Sequence, residues 1–187
     1  MPYSSFHDFI SAAFPGLSWE HWAVMAGVAV AVVVAALRRS RIYASVALGL
    51  TVFAGLFILD TLVVSRWGQR VEPHPGPDLA AEFQRLVHGD PAQLFYMLFN
   101  VLAFLPFGLF FSEFLSASRP EMGDWRRLGV VTVAAFGLSL VAECLQWGLR
   151  VGMFELSDLV LNALGALLGA ALASGARALL KPLKKSR

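Results

Sequence analysis

The stretch ECLQWGLRVGMFELSDLVLNALGALLG, residues 143–169, places Glu143, Gln146, Arg150, Asp158 and Asn162 among residues that otherwise read as membrane interior. Its spacing is helical on both sides of a short break. Glu143, Gln146 and Arg150 stand at i, i+3 and i+7 and share one helix face. Asp158, Asn162, Gly165 and Gly169 stand at i, i+4, i+7 and i+11 and share another. The connection 151–156 is so short that the two helices must be antiparallel neighbours. Gly165 and Gly169, four residues apart, form the small-residue pattern that lets helix backbones approach closely in a membrane. Ionisable groups at membrane depth are expensive, so a cluster of them marks a functional-site hypothesis.

The rest of the chain supports the membrane reading. Its 187 residues are 57% hydrophobic, more than a soluble domain usually carries, and the mean hydropathy is +0.64. Four stretches, 22–37, 42–59, 91–112 and 159–176, contain no Asp, Glu, Lys or Arg. A fifth, 128–142, runs on past Glu143 to Leu149. A crossing helix takes about 20 mostly apolar residues. The sequence therefore predicts an all-α, polytopic transmembrane helix bundle of about five spans: 20–37, 42–64, a third from Pro91, 128–149 and 157–178. No internal repeat or linker divides residues 1–187, which read as one integral membrane domain.

The first 21 residues contain no Lys or Arg. The first apolar segment is therefore expected to be a retained span rather than a cleaved leader. Phe6, Phe9, Phe14, Trp19 and Trp22 suggest an aromatic belt ahead of it. In the longest loop, 66–91, the prolines at 73, 75 and 77 exclude helix. Beyond them Leu79, Phe83, Leu86 and Val87 fall on one face, with Asp78 able to cap the start and Gly89 the end. This predicts a short amphipathic helix, lying either flat on the membrane surface or packed on the spans. Pro106, inside the third span, removes a backbone hydrogen bond and is expected to bend it. Cys144, the only cysteine, forms no internal disulfide and reads as a small buried apolar residue.

Chemistry is narrowed by what the sequence omits. It has no HExxH, no paired CxxC, no GxSxG elbow and no Walker-type phosphate loop. Serine or cysteine covalent catalysis has no support. Glu143, Asp158 and Asp60 offer hard oxygen ligands, and His74 is the one imidazole near them in sequence, but no metal site is assigned. The net charge of +2 calls for no nucleic-acid partner, because the basic tail suits anionic lipid headgroups.

The ordered set Asn100, Pro106, Gly108, Glu143, Gln146, Arg150, Asp158, Asn162, Gly165 and Gly169 resembles the VanZ-like family of small bacterial membrane proteins over about residues 97–169. The resemblance implies a site in the bacterial cytoplasmic membrane and a link to glycopeptide susceptibility; it brings no established reaction with it and leaves any cofactor open. Three readings of the polar residues stand side by side. They form a pocket for a lipid or lipid-linked envelope headgroup, with Glu143 and Asp158 as acid–base groups and Arg150, Gln146, Asn162 and Asn100 holding the ligand. Or they form ion pairs that only fix helix packing, as in a non-catalytic accessory subunit of an envelope complex. Or they belong to a proton or ion pathway, which a single cluster without a matching chain of acids argues against. In the pocket reading Glu143, Arg150 and Asp158 converge.

Orientation follows from basic residues, which stay cytoplasmic in short loops. Lys and Arg divide eleven to four between the two sides of a five-span chain. The larger set lies in the 38–41 turn, the 116–127 connection and the tail. This puts the N-terminus outside, the C-terminus in the cytoplasm and the polar cluster in the outer half. A reporter active only in the cytoplasm should work when fused at Arg187 and fail when inserted near His74. Activity at His74 would invert the topology.

Overall fold

The structure, a computed structural model, describes residues 41–63, 66, 72, 76 and 79–180, the side chains of 41, 79 and 81–83 apart. They form five helices: α1 (Arg41–Leu62), α2 (Leu79–Val87), α3 (Pro91–Ser118), α4 (Asp124–Leu149) and α5 (Leu156–Leu180). All but α2 are long and apolar enough to cross a membrane. The fold is an all-α membrane helix bundle. The expected span 20–37, the aromatic segment before it and His74 lie outside the described residues.

Local signals set the helix ends. α2 closes at Gly89, whose φ of 76° is a left-handed conformation that glycine adopts without penalty. There Gly89 N–H bonds Leu86 O at 3.0 Å and Asp90 N–H bonds Arg85 O at 3.1 Å. Asp90 then caps α3: its Oδ1 accepts from Ala92 N–H at 3.0 Å, and Pro91 takes the first helical position, where no N–H is needed. α3 remains one helix through Pro106. The apolar face predicted for α2 is not buried at Val87, which is 67% exposed.

α3 is the central helix. α5 packs along its length, α1 lies against it on another side, and α4 packs on α5. The interior inverts the usual size rule. α5 buries Gly165, Ala166, Gly169, Ala170 and Ala173, while its Leu164, Leu168 and Leu172 face outward. α4 does the same, burying Ala135, Ser139 and Ala142 and exposing Val133, Phe136 and Val141. Such a continuous apolar exterior suits hydrocarbon, where burying Leu against protein gains little over burying it in lipid. Cys144, expected to be buried, is exposed on this exterior. The inward arc of α4 passes through Ala142, Glu143 and Gln146, so position 144 turns away from it, and a thiol is apolar enough to do so.

Bulk enters the core mainly from α3. Phe104, Phe107 and Phe110 are buried. Phe104 and Phe107 meet edge-on at 6.5 Å between ring centroids. At the α3–α5 contact the backbones touch. A Cβ on Gly165 would lie 2.1 Å from Val101 O, one on Gly169 2.1 Å from Leu105 O, and one on Gly108 2.0 Å from Ala166 O. The close approach expected of Gly165 and Gly169 is present, and Gly108 reciprocates it from α3.

Gly165→Ala must separate α3 from α5, because the obstructing atoms are backbone. It should cost about 1–3 kcal/mol of stability, the usual range for overpacking. Gly137 on α4 has nothing within 4 Å of its would-be Cβ. There alanine should be neutral or gain up to about 1 kcal/mol in helix propensity. Thermal unfolding of the two variants in detergent makes the comparison, and equal stability would contradict the backbone contact.

Candidate functional site

At the end of the bundle where α1 and α4 finish and α3 and α5 start, Asn100, Glu143, Gln146, Asp158 and Asn162 are all buried. α3 and α5 bring two of them together: Asn100 Nδ2 donates to Asp158 Oδ1 at 2.8 Å. The Tyr96 hydroxyl, one turn before Asn100, bridges Asp158 and Glu155. Glu143 reaches across from α4 and shares a side-chain hydrogen bond with Asp158. Its Oε2 also accepts the Glu155 backbone N–H at 2.9 Å. Glu155 immediately precedes α5, so a carboxyl of α4 fixes how α5 begins.

A hydrogen bond between two carboxyl groups requires a proton on one of them. Glu143 and Asp158 therefore place an acid beside a base, the arrangement general acid–base chemistry needs. Asp158 also lies in the first turn of α5, where the helix dipole favours an anion. One turn deeper, Asn162 Nδ2 donates to Ser139 Oγ at 2.8 Å. Gln146 turns toward α1 and donates to Leu62 O at 2.8 Å, satisfying a carbonyl that the end of α1 leaves open.

Arg150 does not converge with Glu143 and Asp158. Counting i+7 from Glu143 assumes that α4 continues, but its last helical residue is Leu149. Arg150 adopts the left-handed conformation, with φ 57° and ψ 38°. Arg150 N–H bonds Trp147 O at 3.2 Å and Val151 N–H bonds Gln146 O at 2.9 Å, a Schellman ending. The chain turns off the Glu143 face and leaves Arg150 exposed. Exposed there, Arg150 makes no ion pair with Glu143 or Asp158 among the described residues, as the packing reading would have had it do with one of them. Arg66 lies within electrostatic reach of Glu143, and its guanidinium passes 3.4 Å from where a Cβ on Gly152 would stand. Asp60 lies at the same end of the bundle but is exposed.

Sequence reasoning missed four partners. Tyr96 precedes Asn100 by four residues and Ser139 precedes Glu143 by four, so a same-face search would have found both. Glu155 contributes through its backbone as well as its side chain. Arg66 sits between helices, where periodicity gives no signal. Among the described residues, no three His, Cys, Asp or Glu side chains are grouped to hold a metal ion. A surface hollow of about 460 Å³, lined by Gln84, Arg85, His88 and Asp90, includes none of the buried residues.

A second polar group lies at the opposite end. Glu113 on α3 accepts from Tyr43 on α1 and from Arg177 on α5. Arg177 also donates to Ser174 Oγ at 2.7 Å and lies 3.7 Å from Asp124. Asp124 in turn pairs with Arg127 at 2.6 Å, and Arg127 donates to Met122 O at 2.7 Å. All four long helices are thus tied together. Its opposite charges are matched in pairs, so it reads as a fastening.

No curated protein and no solved structure matches the chain. The VanZ/LLP1 family profile matches residues 40–180, which span every helix described above and both polar groups. With that match over most of its length, and with several apolar helices long enough to cross a bilayer, the chain is a multi-pass membrane protein and belongs to the VanZ/LLP1 family.

Proposed function

We propose that this VanZ-like protein binds a lipid or lipid-linked envelope headgroup at the outer leaflet of the bacterial cytoplasmic membrane, and that Glu143 and Asp158 carry out acid–base chemistry on it. The observation that carries this reading is the hydrogen-bonded carboxyl pair, supplied by two different spans and buried at one end of the bundle. A packing role alone would be filled as well by apolar residues. The outer-leaflet placement rests on the eleven-to-four division of basic residues. A link to glycopeptide susceptibility would follow if the headgroup belongs to a wall precursor.

Residue roles follow from position. Glu143 and Asp158 hold and exchange the proton. Asn100 orients Asp158; Gln146 anchors the end of α4; Asn162 lines the deeper level. Arg150 takes the rim. Its left-handed backbone is one that a non-glycine residue occupies at a cost of about 1–2 kcal/mol. Glycine would fit that turn without strain, so an arginine there supports a use for the guanidinium. A planar fork suits phosphate, and the exposed side chain can meet one at the headgroup level.

A specific observation favours the competing reading of an accessory protein. Most polar atoms of the cluster already have partners inside the protein, as a packing device would. Two variants separate the readings. Arg150→Gly should raise thermal stability by about 1 kcal/mol through relief of backbone strain. It should also lose co-purifying anionic lipid, measured by native mass spectrometry. Unchanged lipid retention in this stabilised variant would favour the accessory role. Glu143→Gln keeps the shape and should accumulate normally in the membrane. It should nonetheless behave as a null allele in glycopeptide susceptibility. Wild-type susceptibility at equal abundance would remove the acid–base assignment.

A further inference from the structure

The carboxyl pair is the upper rung of a two-rung ladder. Ser139 and Glu143 stand one turn apart on α4; Asp158 and Asn162 stand one turn apart on α5. Glu143 bonds Asp158 across the gap, and Asn162 bonds Ser139. The rungs are separated by about 6 Å, four residues of helix rise. Asn100 closes the α3 side through its bond to Asp158. All five side chains are buried.

The lower rung is incomplete. Asn162 is 1% exposed, yet its Oδ1 has no hydrogen-bond partner among the described residues. Exchanging the amide nitrogen and oxygen would not repair this, because it only moves the orphan from acceptor to donor. Its amide is directed into the α4–α5 interface, the same interface that holds the two carboxyls. A buried amide oxygen without a donor is costly in hydrocarbon, and a cation or its hydration water relieves that cost.

We propose that the space between the rungs is a binding site for a small monovalent cation of the Na⁺ class, held by Asn162 Oδ1 and Ser139 Oγ below and by the Glu143–Asp158 pair above. The donor set is entirely hard oxygen, which selects alkali and alkaline-earth ions over transition metals. Only two carboxyls contribute, and they are already engaged with Asn100, Tyr96 and the Glu155 N–H. The remaining donors are neutral. That charge count suits a singly charged ion, whereas Ca²⁺ sites use more carboxylates and six to eight ligands. Beneath the lower rung, Gly165 and Gly169 press α5 against the α3 backbone. Past the lower rung Val131 and Ala135 on α4 and Ala166 and Ala170 on α5 are buried and apolar, so no oxygen ligands continue the site, and it is a binding site, not a conduction path.

This inference shares Glu143, Asp158 and Asn162 with the headgroup proposal but not its ligand, and the experiment reads salt, not lipid, so either can fail without the other. The full-length protein in detergent is unfolded thermally in NaCl, KCl and choline chloride at equal ionic strength. NaCl should raise Tm by several degrees in a saturable way, as expected of a ligand that binds only the folded state. KCl should do so weakly and choline not at all. Equilibrium dialysis with ²²Na⁺ should find one equivalent bound. Asn162→Leu should abolish both effects while unfolding near the wild-type temperature in choline. Ser139→Ala, a smaller change, should weaken Na⁺ binding at least tenfold and serves alone should Asn162→Leu fail to fold. Identical Tm in all three salts overturns the site. So does a Na⁺ response that survives both substitutions, which would mark an adventitious ion only.

Discussion

The contact between α3 and α5 governs the rest of the molecule. At three glycines no side chain stands between the two backbones, so that carbonyls of one helix lie where a Cβ of the other would be. In lipid no hydrophobic force draws helices together, and van der Waals contact at short range must do it. This approach fixes Asn100 opposite Asp158 and Tyr96 within reach of Glu155. α4 then needs only a short connection to bring Glu143 into place. The polar site is a consequence of that spacing: a wider α3–α5 gap would separate Asn100 from Asp158.

The two polar groups divide the work of the bundle. At one end Glu113 and Arg177 match charge across α3 and α5, and Asp124 stands between Arg177 of α5 and Arg127 of its own helix. At the other end two like groups face each other and are reconciled by a proton. An oppositely charged pair is satisfied as it stands. A carboxyl pair depends on something that can leave, which is why the Glu143 end carries the functional reading and the Glu113 end the structural one. Both ends belong to the same four helices, so the fastened end holds in place the helices that carry the carboxyl pair.

The four spans among the described residues, the shared faces of Glu143 with Gln146 and of Asp158 with Asn162, and the small-residue face of α5 were legible in the sequence, because helical periodicity and hydropathy are properties of neighbouring residues. Arg150 was misread for a physical reason. Periodicity extends a helix until something stops it, and the usual stop, a glycine, is absent: α4 ends with arginine in a conformation that glycine favours. Glu113 drew no reading and Arg177 entered only as one of the basic residues of the tail, since their pairing joins residues far apart in the chain. Arg66 lies between helices, and no local pattern announces a cation there. Local order was thus readable, and the contacts that cross between helices outside a shared periodic face were not.

The junction of α2 with α3 has a mechanical meaning. Only His88, Gly89 and Asp90 separate the two helices. Each is committed: His88 Nδ1 bonds back to Gln84 O at 2.6 Å, Gly89 holds its left-handed turn, and Asp90 is occupied as a cap beside a ring-locked Pro91. Little torsional slack remains in such an elbow. A tilt of α2 is therefore passed on to the start of α3 instead of being absorbed between them. Tyr96 and Asn100 lie within the next three turns, so a torque applied to α2 arrives as strain on the hydrogen bonds that hold Asp158.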